Sequence, residues 1–84
     1  MPFSRPSIFP LCQLGAGATG RICEIKGDDN FRQRIREMGF SEAGLVKKVS
    51  GRATSLCQIK GTRIALNHGA AMNILVELIP TASH

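Results

Sequence analysis

The chain has no tryptophan and no tyrosine, and four phenylalanines are its only benzene rings. That leaves little with which to stack nucleic-acid bases, so single-stranded RNA or DNA is a poor match for its surface. Cysteine is scarce as well. Cys12, Cys23 and Cys57 are odd in number, widely spaced and without a Cys-x-x-Cys pair, which fits reduced thiols in a cytoplasmic protein better than a disulfide framework. No run approaches the roughly 18 apolar residues of a membrane span; the richest, Ala70 to Ile79, is broken by Asn73 and Glu77. The opening residues carry Pro2, Pro6 and Pro10 and no continuous apolar segment, so a signal peptide is not expected. Two histidines and scattered acids cannot supply a nucleophile, a base and an oxyanion donor together, which argues against an enzyme. The glycines of Gly15-Ala16-Gly17-Ala18-Thr19-Gly20 lack the Gly-Lys-Ser/Thr ending and following helix of a phosphate loop, and read as a turn.

What is present organises around one helix. Phe31, Ile35 and Met38 stand at i, i+4 and i+7 within Asp28 to Phe40, so at helical pitch they form one apolar stripe. Asn30 with Gln33 three residues later resembles a capping box, and Asp28 and Asp29 put negative charge at the positive helix end. Gly39 can end the helix in a left-handed conformation, with Phe40 folding back on Ile35. Phe31, Ile35, Met38 and Phe40 are then expected to plug the core, with the Arg34 stem packed against it.

The flanks read as five short strands. Gly20 to Ile25 has Ile22 and Ile25 at an odd spacing that suggests a bulge or a twist between them. After Ser41-Glu42-Ala43-Gly44, where Gly44 is expected at positive φ, come Leu45 to Ser50, whose register is open, and Leu56 to Lys60, which sets Cys57 and Ile59 on one face. A turn at Gly61-Thr62 leads into Arg63-Ile64-Ala65-Leu66. Asn67 to Met72 suits one 3₁₀ turn, and Ile74, Val76 and Leu78 alternate in a last strand. Strands this few and short favour a barrel, which removes most exposed edges. The organisation is an extended arm over residues 1–10, one domain over 11–79 and a flexible tail over 80–84.

Taken in order, Gly20-Arg21-Ile22, Arg34-Ile35-Arg36-Glu37-Met38-Gly39-Phe40, Gly44, Gly61-Thr62-Arg63-Ile64-Ala65-Leu66, Ala71 and Ile74-Leu75-Val76 resemble the FeoA family, ferrous iron transport protein A. The resemblance covers Leu11 to Ile79. It implies a mainly β, SH3-like barrel with one α-helix inserted between the first two core strands, no enzymatic activity, and an accessory role in bacterial ferrous iron uptake. The implied partner is the cytosolic domain of FeoB, the GTPase-linked iron transporter, through which the chain would be peripheral to the membrane. Lys47 departs from the apolar residue usual in that strand, and the turn at Gly51 to Ser55 lacks a common proline.

Eleven Lys and Arg against six Asp and Glu give a net charge of +5, suited to an acidic partner. Arg32, Arg36, Lys47, Lys48 and Arg52 are the basic residues expected to meet one. No cofactor is required by the sequence; zinc or ferrous iron at a weak site would draw on Cys12, Cys23 and His68, shared between two copies in a homodimer. Cys57 reads as core. The alternatives are a basic barrel that binds nucleic acid and a metal-binding regulatory module.

Overall fold

The computed structural model describes residues 8–51 and 54–79. Arg52, the segment 1–7 of the expected arm and the expected tail 80–84 lie outside the described residues. The fold is mainly β and SH3-like, one sheet of six antiparallel strands in the order β1-β6-β2-β3-β4-β5. In chain order these are β1 (Ile8–Pro10), β2 (Thr19–Ile25), β3 (Leu45–Ser50), β4 (Thr54–Ile59), β5 (Thr62–Asn67) and β6 (Ile74–Ile79). Helix α1 (Asp29–Glu37) separates β2 from β3, α2 (His68–Met72) separates β5 from β6, and a 3₁₀ turn (Leu11–Gln13) follows β1.

Six strands form where five were expected, because Ile8–Pro10 pairs with β6 through Ile8↔Glu77, Phe9↔Val76 and Pro10↔Leu75. Three residues are too short to show a period in sequence. In β2, Ile22 faces Val76 and Glu24 faces Leu75, so Cys23 is an extra, bulged residue. The bulge turns both Ile22 and Ile25 inward despite their odd spacing. The register of β3 is resolved by burial: Val46 and Lys48 point in, Leu45 and Lys47 point out. In β4, Ser55, Cys57 and Ile59 point in.

The β4–β5 turn lies one residue earlier than expected. Ile59 pairs with Thr62, leaving Lys60 and Gly61 as a two-residue turn with φ of 51° and 82°. Two positive φ values mark the turn type whose twist matches that of the strands. At the other connection the expected positive φ at Gly44 falls on Ala43 instead, at 70°. Gly44 is needed for space: a Cβ there would stand 2.9 Å from the Ser41 carbonyl oxygen.

Helix α1 begins earlier than Asn30 would have it. Asp28 is the N-cap, extended in backbone, and its carboxylate accepts from the Phe31 N–H at 2.8 Å. Asn30 therefore lies inside the first turn. The C-terminus follows expectation: Gly39 has φ 110°, the Phe40 N–H donates to the Ile35 carbonyl and the Gly39 N–H to the Arg36 carbonyl, the two bonds of a Schellman ending. The second helix is α-helical, not the expected 3₁₀ turn. Asn67 caps it by accepting from the Ala70 N–H at 2.7 Å.

One apolar cluster fills the interior: Leu11, Leu14, Ile22, Ile25, Ile35, Phe40, Val46, Cys57, Ile59, Leu66, Ala71, Ile74 and Val76. Two sets of elements cover it differently. The 3₁₀ turn packs against α2, and Leu11, Leu14 and Ala71 there are all but sealed from solvent. Helix α1 buries Ile35 and, just beyond its end, Phe40, while Phe31 is half-buried and Met38 is 40% exposed. Met38 is therefore not part of the plug.

Candidate functional site

The unfilled part of the α1 stripe lines a groove. Phe31, Arg34, Ile35 and Met38 form one wall, and Ala65, Leu66 and Asn67 of β5 with Gly69, Ala70 and Asn73 around α2 form the other, enclosing a cavity of about 500 Å³. Helical spacing sets the first wall, since residues 31, 34, 35 and 38 share a face. Gly27 positions its start, because a Cβ there would lie 2.7 Å from the Phe31 ring, which packs over the bare glycine backbone. The Asn67 carboxamide caps α2 and Asn73 donates to the Gly69 carbonyl at 3.3 Å, so the polar rim on that side is committed to local structure. Arg34 is different. Its stem was expected to pack against the core, but the residue is exposed and forms no ion pair or side-chain hydrogen bond among the described residues.

The basic residues expected to face a partner divide into four cases. Arg32 pairs with Asp29 and Arg36 pairs with Glu42 at 3.0 Å, so their charge is largely answered on the helix and its exit. The Arg36 guanidinium hydrogen-bonded to Glu42 holds that carboxyl below its ordinary range. Lys47 is exposed on the outer face of β3. Lys48 is not a surface residue: it is 4% exposed and its Nζ donates to the Cys12 carbonyl at 3.0 Å. Strand alternation sends it inward, and its ammonium ties β3 to the 3₁₀ turn, which corrects its reading as an exposed partner contact. Arg52 lies outside the described residues. Sequence reasoning gave Arg34 a structural place and did not single out Arg63, which is exposed on β5 with no ion pair among the described residues. Arg63 was legible as an outward position in an alternating strand, whereas the setting of Arg34 depends on how far α1 stands from β5.

Cys12, Cys23 and Cys57 form no disulfide with one another in the structure. Cys57 is fully buried, and burial pushes its thiol up while the charge of Lys48 pulls it down. Cys23, half-buried in the bulge, lies 3.8 Å from Glu77 Oε1, and Arg21 meets the same oxygen at 3.6 Å. Desolvation first and the Glu77 carboxylate second push the Cys23 thiol up, away from the thiolate that binds metal. Cys12 packs half-buried against the core at the 3₁₀ turn, and His68 opens α2, exposed. No three His, Cys, Asp or Glu side chains among the described residues are grouped to hold a metal ion.

Comparison with known proteins identifies the barrel. The model of the FeoA domain matches residues 9–78. The chain belongs to the FeoA family. The FeoA match begins inside β1, so Phe9 and Pro10, expected to lie outside the resemblance, fall within it. FeoA described as an iron uptake regulatory protein, known from a crystal structure, is 25% identical and superposes with a TM-score of 0.81 over 87% of this chain and 99% of that one. FeoA of Stenotrophomonas maltophilia, crystallised with zinc and described as an SH3 domain protein, is 25% identical with a TM-score of 0.69 over 81% and 88% of the two chains. A manganese-dependent transcriptional repressor shares the FeoA fold at 20% identity and a TM-score of 0.81, with 90% of this chain covering 44% of the repressor. No curated protein matches the sequence at a significant level.

Proposed function

We propose that this FeoA protein is a non-enzymatic accessory factor of bacterial ferrous iron uptake that acts in the cytoplasm by binding the cytosolic domain of FeoB and promoting transport. Family membership supports a role in ferrous iron transport, and the match over residues 9–78 is the observation that carries the reading. The physical chemistry agrees with it. No helix of the described residues is long and apolar enough to cross a membrane. The excess of basic residues would draw it to an acidic surface.

The test sets two partners side by side. Purified FeoB cytosolic domain and a duplex and single-stranded oligonucleotide are titrated into the labelled chain near physiological salt, because all three interactions weaken as salt rises. Binding to the FeoB domain that survives polyanion competitor, with loss of ferrous iron uptake when the chain is deleted, is the expected result. Tight nucleic-acid binding without FeoB association, in either the isolated domain or the intact transporter, would overturn it.

A further inference from the structure

The two outer strands of the sheet are protected to different degrees. β1 is three residues long and ends in Pro10, which has no N–H to offer. β5 is six residues long, contains no proline, and stands last in the strand order with no neighbour beyond it among the described residues. The turn at Lys60-Gly61 fixes which of its backbone groups are unused. Ile59 and Thr62 flank a two-residue turn and are hydrogen-bonded to each other. Bonded and non-bonded pairs then alternate, so Thr62, Ile64 and Leu66 spend their N–H and C=O groups on β4, while Arg63 and Ala65 direct theirs away from it. No backbone hydrogen bond beyond β4 is made to Arg63 or Ala65 within the described residues.

That free edge borders the groove. Ala65, Leu66 and Asn67 form one wall, and the apolar stripe of α1 faces them across about 500 Å³. An unpaired ladder asks for extended backbone, and an apolar wall beside it asks for alternate apolar side chains. The charge at the site asks for acid. Arg34 stands on the groove wall and Arg63 on the edge strand, neither with an ion pair among the described residues, whereas Arg32 and Arg36 on the same helix are each paired.

We propose that this groove binds an extended, acidic peptide segment of a partner protein, which adds to the sheet as a strand beside β5. Its backbone bonds to Arg63 and Ala65, its apolar side chains lie against Phe31, Ile35 and Met38, and its carboxylates meet Arg34 and Arg63. The assignment does not depend on which protein carries the segment, and so stands apart from the proposed transporter partner.

The experiment uses the full chain, labelled with ¹⁵N, and three capped synthetic hexapeptides. One alternates valine with glutamate, one replaces glutamate with lysine, and one is the acidic sequence with alternate amide nitrogens methylated on the edge that would meet β5. The acidic peptide should move the amide signals of Arg63, Ala65 and α1, and methylation should weaken it at least tenfold. Arg34→Glu, on an exposed side chain, should leave the melting temperature unchanged and shift preference toward the lysine peptide. The proposal is overturned if the acidic peptide moves no β5 signal at millimolar concentration, if methylation has no effect, or if Arg34→Glu leaves the charge preference unaltered. Concentration-dependent shifts of the same β5 signals without peptide would also overturn it, by making a second copy the occupant.

Discussion

The core is covered by pieces of opposite character. The 3₁₀ turn and α2 are short and aperiodic, yet Leu11 and Ala71 are sealed. Helix α1 has the clearest amphipathic period in the sequence, yet of its stripe only Ile35 is fully buried, and Met38 faces the groove. Strength of period and depth of packing are therefore separate properties. A stripe declares that a face is covered or bordered by apolar surface; it does not declare how completely.

The comparison predicts a gradient. Leu11→Ala removes a fully enclosed side chain and leaves a void that the surrounding sheet cannot collapse, so a loss of about 3 to 5 kcal/mol is expected by denaturant melt. Ile35→Ala opens toward the groove, where the wall can move in, and should cost nearer 2 kcal/mol, the low end for such truncations. An equal or larger loss at Ile35 would reverse the order of the two coverings. Met38→Ala should cost less than about 0.5 kcal/mol, as surface changes do, because the side chain is already wet.

The smallest expected effect lies at the exit of α1. Arg36 lowers the Glu42 carboxyl in the folded chain, so the pair stabilises above the ordinary carboxylate range and that contribution fades as pH falls through the lowered value. Glu42→Gln should thus lower the melting temperature slightly at neutral pH and match the parent in acid. A difference that persisted in acid would mean that Glu42 acts by something other than its charge.

Much of the sheet was readable because alternation and turns are local. The β2 bulge followed from Ile22 and Ile25, the inward Cys57 from Cys57 and Ile59, and the helix ending from Gly39 and Phe40. The misses were set by distant partners. Ile8–Pro10 becomes strand only because β6 lies beside it, and Lys48 is tolerated inside because the Cys12 carbonyl, 36 positions earlier, accepts a hydrogen bond from its ammonium. Asp28 outcompeted Asn30 as cap since both residue types serve, and starting at Asp28 puts the Phe31 N–H within its reach. The groove was invisible because its walls come from α1 and from β5 with α2, and the distance between them is a property of the whole barrel.

The position of β6 governs the order in which the sheet can be assembled. It is the last described strand, yet it lies between β1 and β2, the first two. β2, β3, β4 and β5 are consecutive neighbours that can form without β6, while β1 joins the sheet only when β6 arrives between it and β2. Closing so long a loop costs entropy before any contact rewards it, which places such topologies among the slower folders. Pulse-labelled hydrogen exchange should accordingly protect β4 and β5 amides before those of β1, and protection appearing first in β1 would refute that order. A nascent chain that has yet to supply β6 can hold β2, β3, β4 and β5 as a formed run of neighbours, while β1 waits for the strand that will join it to them.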